Sequence, residues 1–352
     1  MIWQRRRLMK IFSDKSGRMR HRPTFCSICL LTLLALTVSP FSSSAASRSG
    51  WIEGGKNSGG IIRRYMAYVP RNMPDGAPVV VLLHANRQSM RALFMPDAGG
   101  TREWPLLAER EKFLLVVPNG TDPKTGNPTG ERQDWHPAGV FDTAGPKNVD
   151  DAAFITGLLD DLIRRYQLDL SRIYVTGQAG GGEMVYSLLL SPPRRFAAAA
   201  VFSAALPSGL VAGRGHVEPC PLLIVNGTDD PLLPWNASKQ RHNGETVMSG
   251  SATAGWWVVA NHAEPSGPQT ALLPDADPRD RCRILMSLYK PLPGGAPVVL
   301  YRVQGGGHAM PSRRYSSGGS TAARSVTGNV CRDAEGAELA WAFMKAFRLP
   351  KR

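Results

Sequence analysis

The chain has 352 residues, of which 43% are hydrophobic and 20% charged, with 36 glycines and 28 prolines. That is the composition of a loop-rich globular protein and excludes a disordered chain. The net charge of +14 does not read as a nucleic-acid footprint: the first 46 residues hold eight Lys or Arg against one acidic residue, half of the total. The other half is spread without a basic run, as on a solvated basic surface, so no nucleic-acid partner is expected.

The chain opens with a basic stretch, the apolar run from Phe25 to Val38, then Pro40 and small residues up to Ala46. The run is too short for a bilayer span and its flanks are those of a cleaved export signal. Residues 1–46 are therefore expected to be removed near Ala45 or Ala46, with Met19 an alternative start. Residues 47–352 are then expected to form one exported domain, extracellular or periplasmic, with no membrane attachment.

Cys26 and Cys29 leave with the signal, and Cys220, Cys282 and Cys331 remain. An export compartment permits disulfides, and three cysteines suggest one bridge and one thiol. Cys282 and Cys331 flank a later strand and loop and are the expected pair. Cys220, just before an apolar strand, is expected to stay reduced. No pair among these three has zinc-ligand spacing, and no cofactor or metal is expected.

After a Ser/Gly-rich leader at 42–60, short apolar runs alternate with helical patterns. Strands are predicted at 64–69, 78–84, 113–118, 172–176, 197–202, 221–225 and 298–303. The run Val79-Val80-Val81-Leu82-Leu83 is that of a strand buried on both faces. A helix opens at Asp150-Asp151, with Phe154, Leu158, Leu162 and Tyr166 along one face. Its acidic pair suits the positive end of the helix. Further helices are predicted at 183–190 and 334–347. Residues 236–280 are less regular, with Trp256 and Trp257 on a helix, and are expected to cover the C-terminal edge of the sheet. Strands alternating with helices imply an α/β fold, a mostly parallel central sheet with helices on both faces.

Three local signals follow in one order. Thr176-Gly177-Gln178-Ala179-Gly180-Gly181 is a glycine turn between a strand and a helix. It has the shape of the turn that presents a nucleophile in α/β-hydrolases, G-x-S-x-G, with Ala179 in the serine position. Gly227-Thr228-Asp229-Asp230-Pro231 follows a second strand, where an acid can orient a histidine. Gly305-Gly306-Gly307-His308 follows a third. Nucleophile turn, acid, histidine is the α/β-hydrolase order.

With those stretches, Asp169-Leu170-Ser171-Arg172-Ile173-Tyr174 and Gly307-His308-Ala309-Met310-Pro311, the chain resembles the secreted polyhydroxybutyrate-depolymerase and feruloyl-esterase group of α/β-hydrolases. The resemblance runs from about Arg64 to the C-terminus. It implies the α/β-hydrolase fold, with Asp230 as triad acid and His308 as general base. It also implies an oxyanion hole from the N–H of Gly180 and from the loop His84-Ala85-Asn86-Arg87-Gln88. Two departures fall on the chemistry. Ala179 has no hydroxyl to attack a carbonyl. Ala85 stands where the group usually has glycine, and its Cβ is expected to re-aim the loop if that glycine used a positive φ. Two departures in one site point to natural loss rather than a designed knock-out.

Trp135 and Trp235 are candidates to line an aromatic or polyester cleft, with packing as the alternative. The sequons at Asn226 and Asn236 read as chance matches. Three functions remain open. One is an esterase or depolymerase relative acting on or binding esters or polyesters, with its acyl-transfer chemistry impaired. Another is a hydrolase working without a serine acyl-enzyme. The third is a binding or scaffolding protein for a polymer or protein partner.

Overall fold

The computed structural model describes residues 49–137, 149–212, 217–241, 244–315 and 326–350. The expected signal, 1–46, lies outside them. Among the described residues no helix is long and apolar enough to cross a membrane.

In chain order the elements begin with β1 (Gly50–Ser58), β2 (Ile61–Val69), β3 (Val79–Leu83), α1 (Glu103–Glu111), β4 (Leu114–Pro118), α2 (Asp151–Tyr166), β5 (Ile173–Gln178) and α3 (Gly180–Leu189). They continue with β6 (Ala198–Phe202), α4 (Ser208–Val211), β7 (Leu222–Gly227), β8 (Lys239–Gln240), β9 (Thr246–Val247) and α5 (Gly250–Ala260). Last come β10 (Gln269–Leu272), β11 (Arg283–Tyr289), β12 (Val298–Gln304) and α6 (Gly336–Met344).

Ten strands form one sheet in the order β1-β2-β4-β3-β5-β6-β7-β12-β11-β10. From β4 to β12 every neighbour is parallel, and both edges finish in antiparallel strands. This is the α/β-hydrolase fold expected from the sequence. The side-chain period of two divides the core between the faces. Val79, Val81 and Leu83 point into the layer holding Phe154, Met184 and Trp257. Val80 and Leu82 point into the layer holding Trp104, Leu107 and Trp341.

Several elements differ from the sequence reading. The supposed leader at 42–60 contains β1, which pairs along its full length with β2. Its glycines are needed there, since a Cβ at Gly54 would run into the Tyr65 ring. α1, β10 and β11 have no counterpart among the elements expected from the sequence: β11, between β12 and the edge strand β10, alternates half-buried and buried residues, so it lacks the continuous apolar run that marks the central strands. The start of α2 is built otherwise than a simple charge–dipole pairing. Asp150 is the N-cap, accepting from the Ala153 N–H, whereas Asp151 is fully buried and bonded to Arg63 of β2 and to the His136 N–H. Asp151 thereby joins the helix, β2 and the loop before the helix.

Cys282 and Cys331 are bridged, and Cys220 is a buried thiol pushed up to about 12 by burial. Asn226 is buried, exchanging hydrogen bonds with both the N–H and the carbonyl of Ala204; its sequon serves packing.

Candidate active site

The turn between β5 and α3 is as sharp as the sequence suggested. Ala179 has φ 49° and ψ −120°, a conformation L-residues rarely adopt and one that costs of order 1–3 kcal/mol. Its N–H donates to the Phe202 carbonyl on neighbouring β6, and its carbonyl accepts from Glu183 to open the helix. A Cβ at Gly177 would strike the Gly181 backbone, and one at Gly181 would strike the Leu83 and His84 carbonyls. The flanking glycines thus let helix and strands close up, while position 179 tolerates a side chain at the cost of strain.

The acid and the histidine meet. Asp230, three residues past β7, accepts through Oδ1 from the N–H groups of Leu232 and Leu233, each at 2.8 Å. Its Oδ2 lies 2.7 Å from His308 Nδ1. Asp229 instead accepts from the Thr228 hydroxyl next to it, and Asp230 is the carboxylate that meets His308. The Asp230 side chain is 1% exposed and that of His308 13%. With the Nδ1 proton given to Asp230, His308 Nε2 is the basic edge, and it has no hydrogen-bond partner among the described residues. The histidine loop is fixed at both ends: Gln178 Nε2 donates to the His308 carbonyl, and the N–H groups of Gly307 and His308 donate to the Asn329 and Thr327 carbonyls. Cys331, just beyond, is the bridged cysteine, so the disulfide anchors the segment buttressing His308.

The loop after β3 packs against the elbow. His84 is fully buried, donating from Nδ1 to the Ala85 carbonyl and accepting at Nε2 from the Gly120 N–H. Burial pushes its imidazole down to about 4, against the partial support of the Ala85 bond. Ala85 is not among the positive-φ residues; Arg87 is, at φ 55°. The expected conflict over a Cβ at position 85 therefore does not arise in this backbone. The Asn86 side chain lies directly over Gly180, bringing the loop to the N-terminus of α3 as an oxyanion hole requires.

Trp135 does not line a cleft. It is 2% exposed, stacks on the His84 ring at 4.7 Å and donates from Nε1 to the His84 carbonyl. It supports the loop from behind because its indole N–H needs a buried acceptor. Trp235 is half-buried, with its ring against Gly250 at the start of α5.

Sequence reasoning missed an ion pair in the site. Glu183, one helical turn after Ala179, is buried and bonded to Arg241 from the chain just after β8. Burial raises the Glu183 carboxyl, while Arg241 and the nearby charge of His308 draw it back. A glutamate on an otherwise apolar helix face was the available signal; nothing in the sequence marked Arg241. As for metals, Asp280 lies close to the sulfurs of Cys282 and Cys331, but those are bonded to each other, leaving a single carboxylate.

No family model matches the chain. Among characterised proteins it is similar to poly(3-hydroxyalkanoate) depolymerase C of Paucimonas lemoignei, 28% identical over 179 residues, covering 51% of this chain and 40% of that protein. It is also similar to feruloyl esterase D of Neurospora crassa, 26% identical over 260 residues, covering 67% and 82%. The bifunctional acetylxylan esterase/xylanase XynS20E of Neocallimastix patriciarum is 26% identical over 180 residues, covering 51% of this chain and 23% of that protein. The chain thus spans less than half the length of two of these three relatives. Fold and relatives agree on an esterase-like α/β-hydrolase.

Proposed function

We propose that this chain is an exported protein of the depolymerase and feruloyl-esterase type. It holds carboxylic esters or polyesters at its elbow without forming a serine acyl-enzyme. The observation that carries this reading is Ala179 in the strained elbow conformation, beside an Asp230–His308 pair with the hydrogen bond of a working triad. His308 can accept a proton and Asp230 can steady the imidazolium, yet position 179 has no hydroxyl to deprotonate. A water activated by His308 is the remaining nucleophile, and it is slow. Losing the serine in a serine protease costs about 10⁶-fold in kcat, leaving roughly 10³–10⁴ over water from binding and the oxyanion hole.

The test is turnover of short p-nitrophenyl esters and labelling by a fluorophosphonate. The unmodified protein is expected to stay unlabelled and nearly inactive, and Ala179→Ser to gain labelling at position 179 together with turnover. Stoichiometric labelling of the unmodified protein at another serine would overturn the reading. Retention on polymer without turnover accords with the binding role.

A further inference from the structure

The loop that approaches the elbow is held from behind by one short stretch of chain. Gln133 bridges Gln88 in antiparallel fashion, its N–H donating to the Gln88 carbonyl. On one side of that bridge the Ser89 hydroxyl donates to the Glu131 carboxylate. On the other the Arg87 N–H donates to Asp134 Oδ1 at 2.6 Å. Asp134 is itself fixed, exchanging backbone hydrogen bonds with Thr121 through both its N–H and its carbonyl. The Arg87 bond falls where the loop is strained: Arg87 has φ 55°, a left-handed conformation that non-glycine residues hold only when their surroundings enforce it. The residue before it, Asn86, is the one whose amide lies over Gly180. Resting on the reading of the site given above, we infer that Asp134 is a positioning residue: its carboxylate enforces the turn at Arg87 and so sets the gap between loop and elbow in which an ester carbonyl is held.

A carboxylate suits this place better than a neutral acceptor. Hydrogen bonds to a charged oxygen are roughly twice as strong as neutral ones, and the left-handed turn supplies a standing strain to oppose. Asp134 is half-buried. Burial raises its carboxyl, while the Arg87 N–H, the charges of His136 and Arg87 and the Asn86 amide draw it back. Asn86 thus leans on the same carboxylate that fixes the Arg87 N–H, and both residues of the turn answer to Asp134. Gly180 permits the approach from the other side, since a Cβ there would overlap the Asn86 amide. Neutralising Asp134 loosens the turn and leaves the Gln88–Gln133 bridge and the Trp135 bond to the His84 carbonyl in place. The effect falls on spacing rather than on folding. A misplacement of about 1 Å at a reacting centre can cost about 10²-fold in rate.

NMR of the unmodified, isotope-labelled chain, titrated from neutral to acid pH, tests this. The Arg87 and Gly180 N–H resonances are expected to move with the midpoint of the Asp134 carboxyl carbon, which lies above the ordinary 3.8. Glu131, His84 and His136 on the neighbouring loops and Glu183 on α3 also titrate, and their own side-chain carbons tell their midpoints apart. Asp134→Asn should abolish both movements and speed amide exchange at Arg87 by about tenfold to hundredfold. In an Ala179→Ser background, Asp134→Asn should lower kcat about tenfold or more at nearly constant KM; a residue serving stability alone would lower Tm and leave that split unmoved. A Gly180 N–H that ignores Asp134, or follows only His84 or Glu183, overturns this inference and leaves the proposed function standing. Ala179→Ser without turnover counts against the proposed function instead. The titration is made on the parent protein and so decides the role of Asp134 however any variant folds.

Discussion

Replacing Ala179 by glycine isolates the strain that the elbow still stores. At φ 49° and ψ −120°, Ala179 lies outside the ordinary left-handed well occupied by Gln167, at φ 50° and ψ 48°. A Cβ in sparsely populated regions costs of order 1–3 kcal/mol, all of which glycine relieves. Against that, glycine adds about 0.4–1 kcal/mol of unfolded-state entropy, and deleting a half-buried methyl costs about 0.4 kcal/mol. The balance is a gain of about 1 kcal/mol for Ala179→Gly. With roughly 2.1 cal/mol/K of unfolding entropy per residue, a domain of about 300 residues gains about 2 °C in Tm. Gln167→Gly, at an ordinary left-handed helix end, is the control and should gain less. Calorimetry and urea unfolding, with the midpoint moving at constant slope, read the difference. An Ala179→Gly protein less stable than the parent would show that the elbow carries no strain worth relieving.

Four further outcomes are expected. His84 is held neutral, its folded value of about 4 lying below the ordinary 6.5. Its contribution is therefore fully present above pH 6.5 and lost as pH falls towards 4, about 3 kcal/mol in all; His84→Asn should flatten the stability profile in that window. Asp151→Asn strands Arg63, which is 1% exposed, and should cost about 3–5 kcal/mol in urea unfolding; a loss below 1 kcal/mol would refute the buried pair. Replacing Cys282 and Cys331 by serine opens a loop of sequence separation 49 and should cost about 4 kcal/mol. In the parent protein, Cys220 should resist alkylation until the chain unfolds, and alkylation of the native state would contradict its burial.

The central strands were legible because burial on both faces writes a continuous apolar run, as at 79–83 and 222–225. The pairing of Asp230 with His308 was legible because each follows such a run closely and needs a particular residue type. What stayed hidden depended on partners distant in sequence. β1 reads as a glycine-rich leader because its residues answer to Tyr65 and the register of β2. Trp135 read as a cleft residue because only the fold brings its indole onto His84, 51 positions away. Arg241 lies 58 positions from Glu183, and no local pattern joins them.

The features retained around Ala179 argue together for ligand binding over a passive relic. A site that is not acylated, as proposed above, has no use for a strained backbone, yet the elbow has φ 49° with a β-carbon attached. Nor has it a use for a buried glutamate, which is costly unless paired, yet Glu183 keeps Arg241. The dry Asp230 still receives two backbone N–H groups and still meets His308 at 2.7 Å. Each feature opposes stability or contributes nothing large to it, and all lie on elements adjoining one turn. Their common effect is a fixed set of donors with one unoccupied basic edge. That arrangement is the one on which the proposed ester-holding role rests.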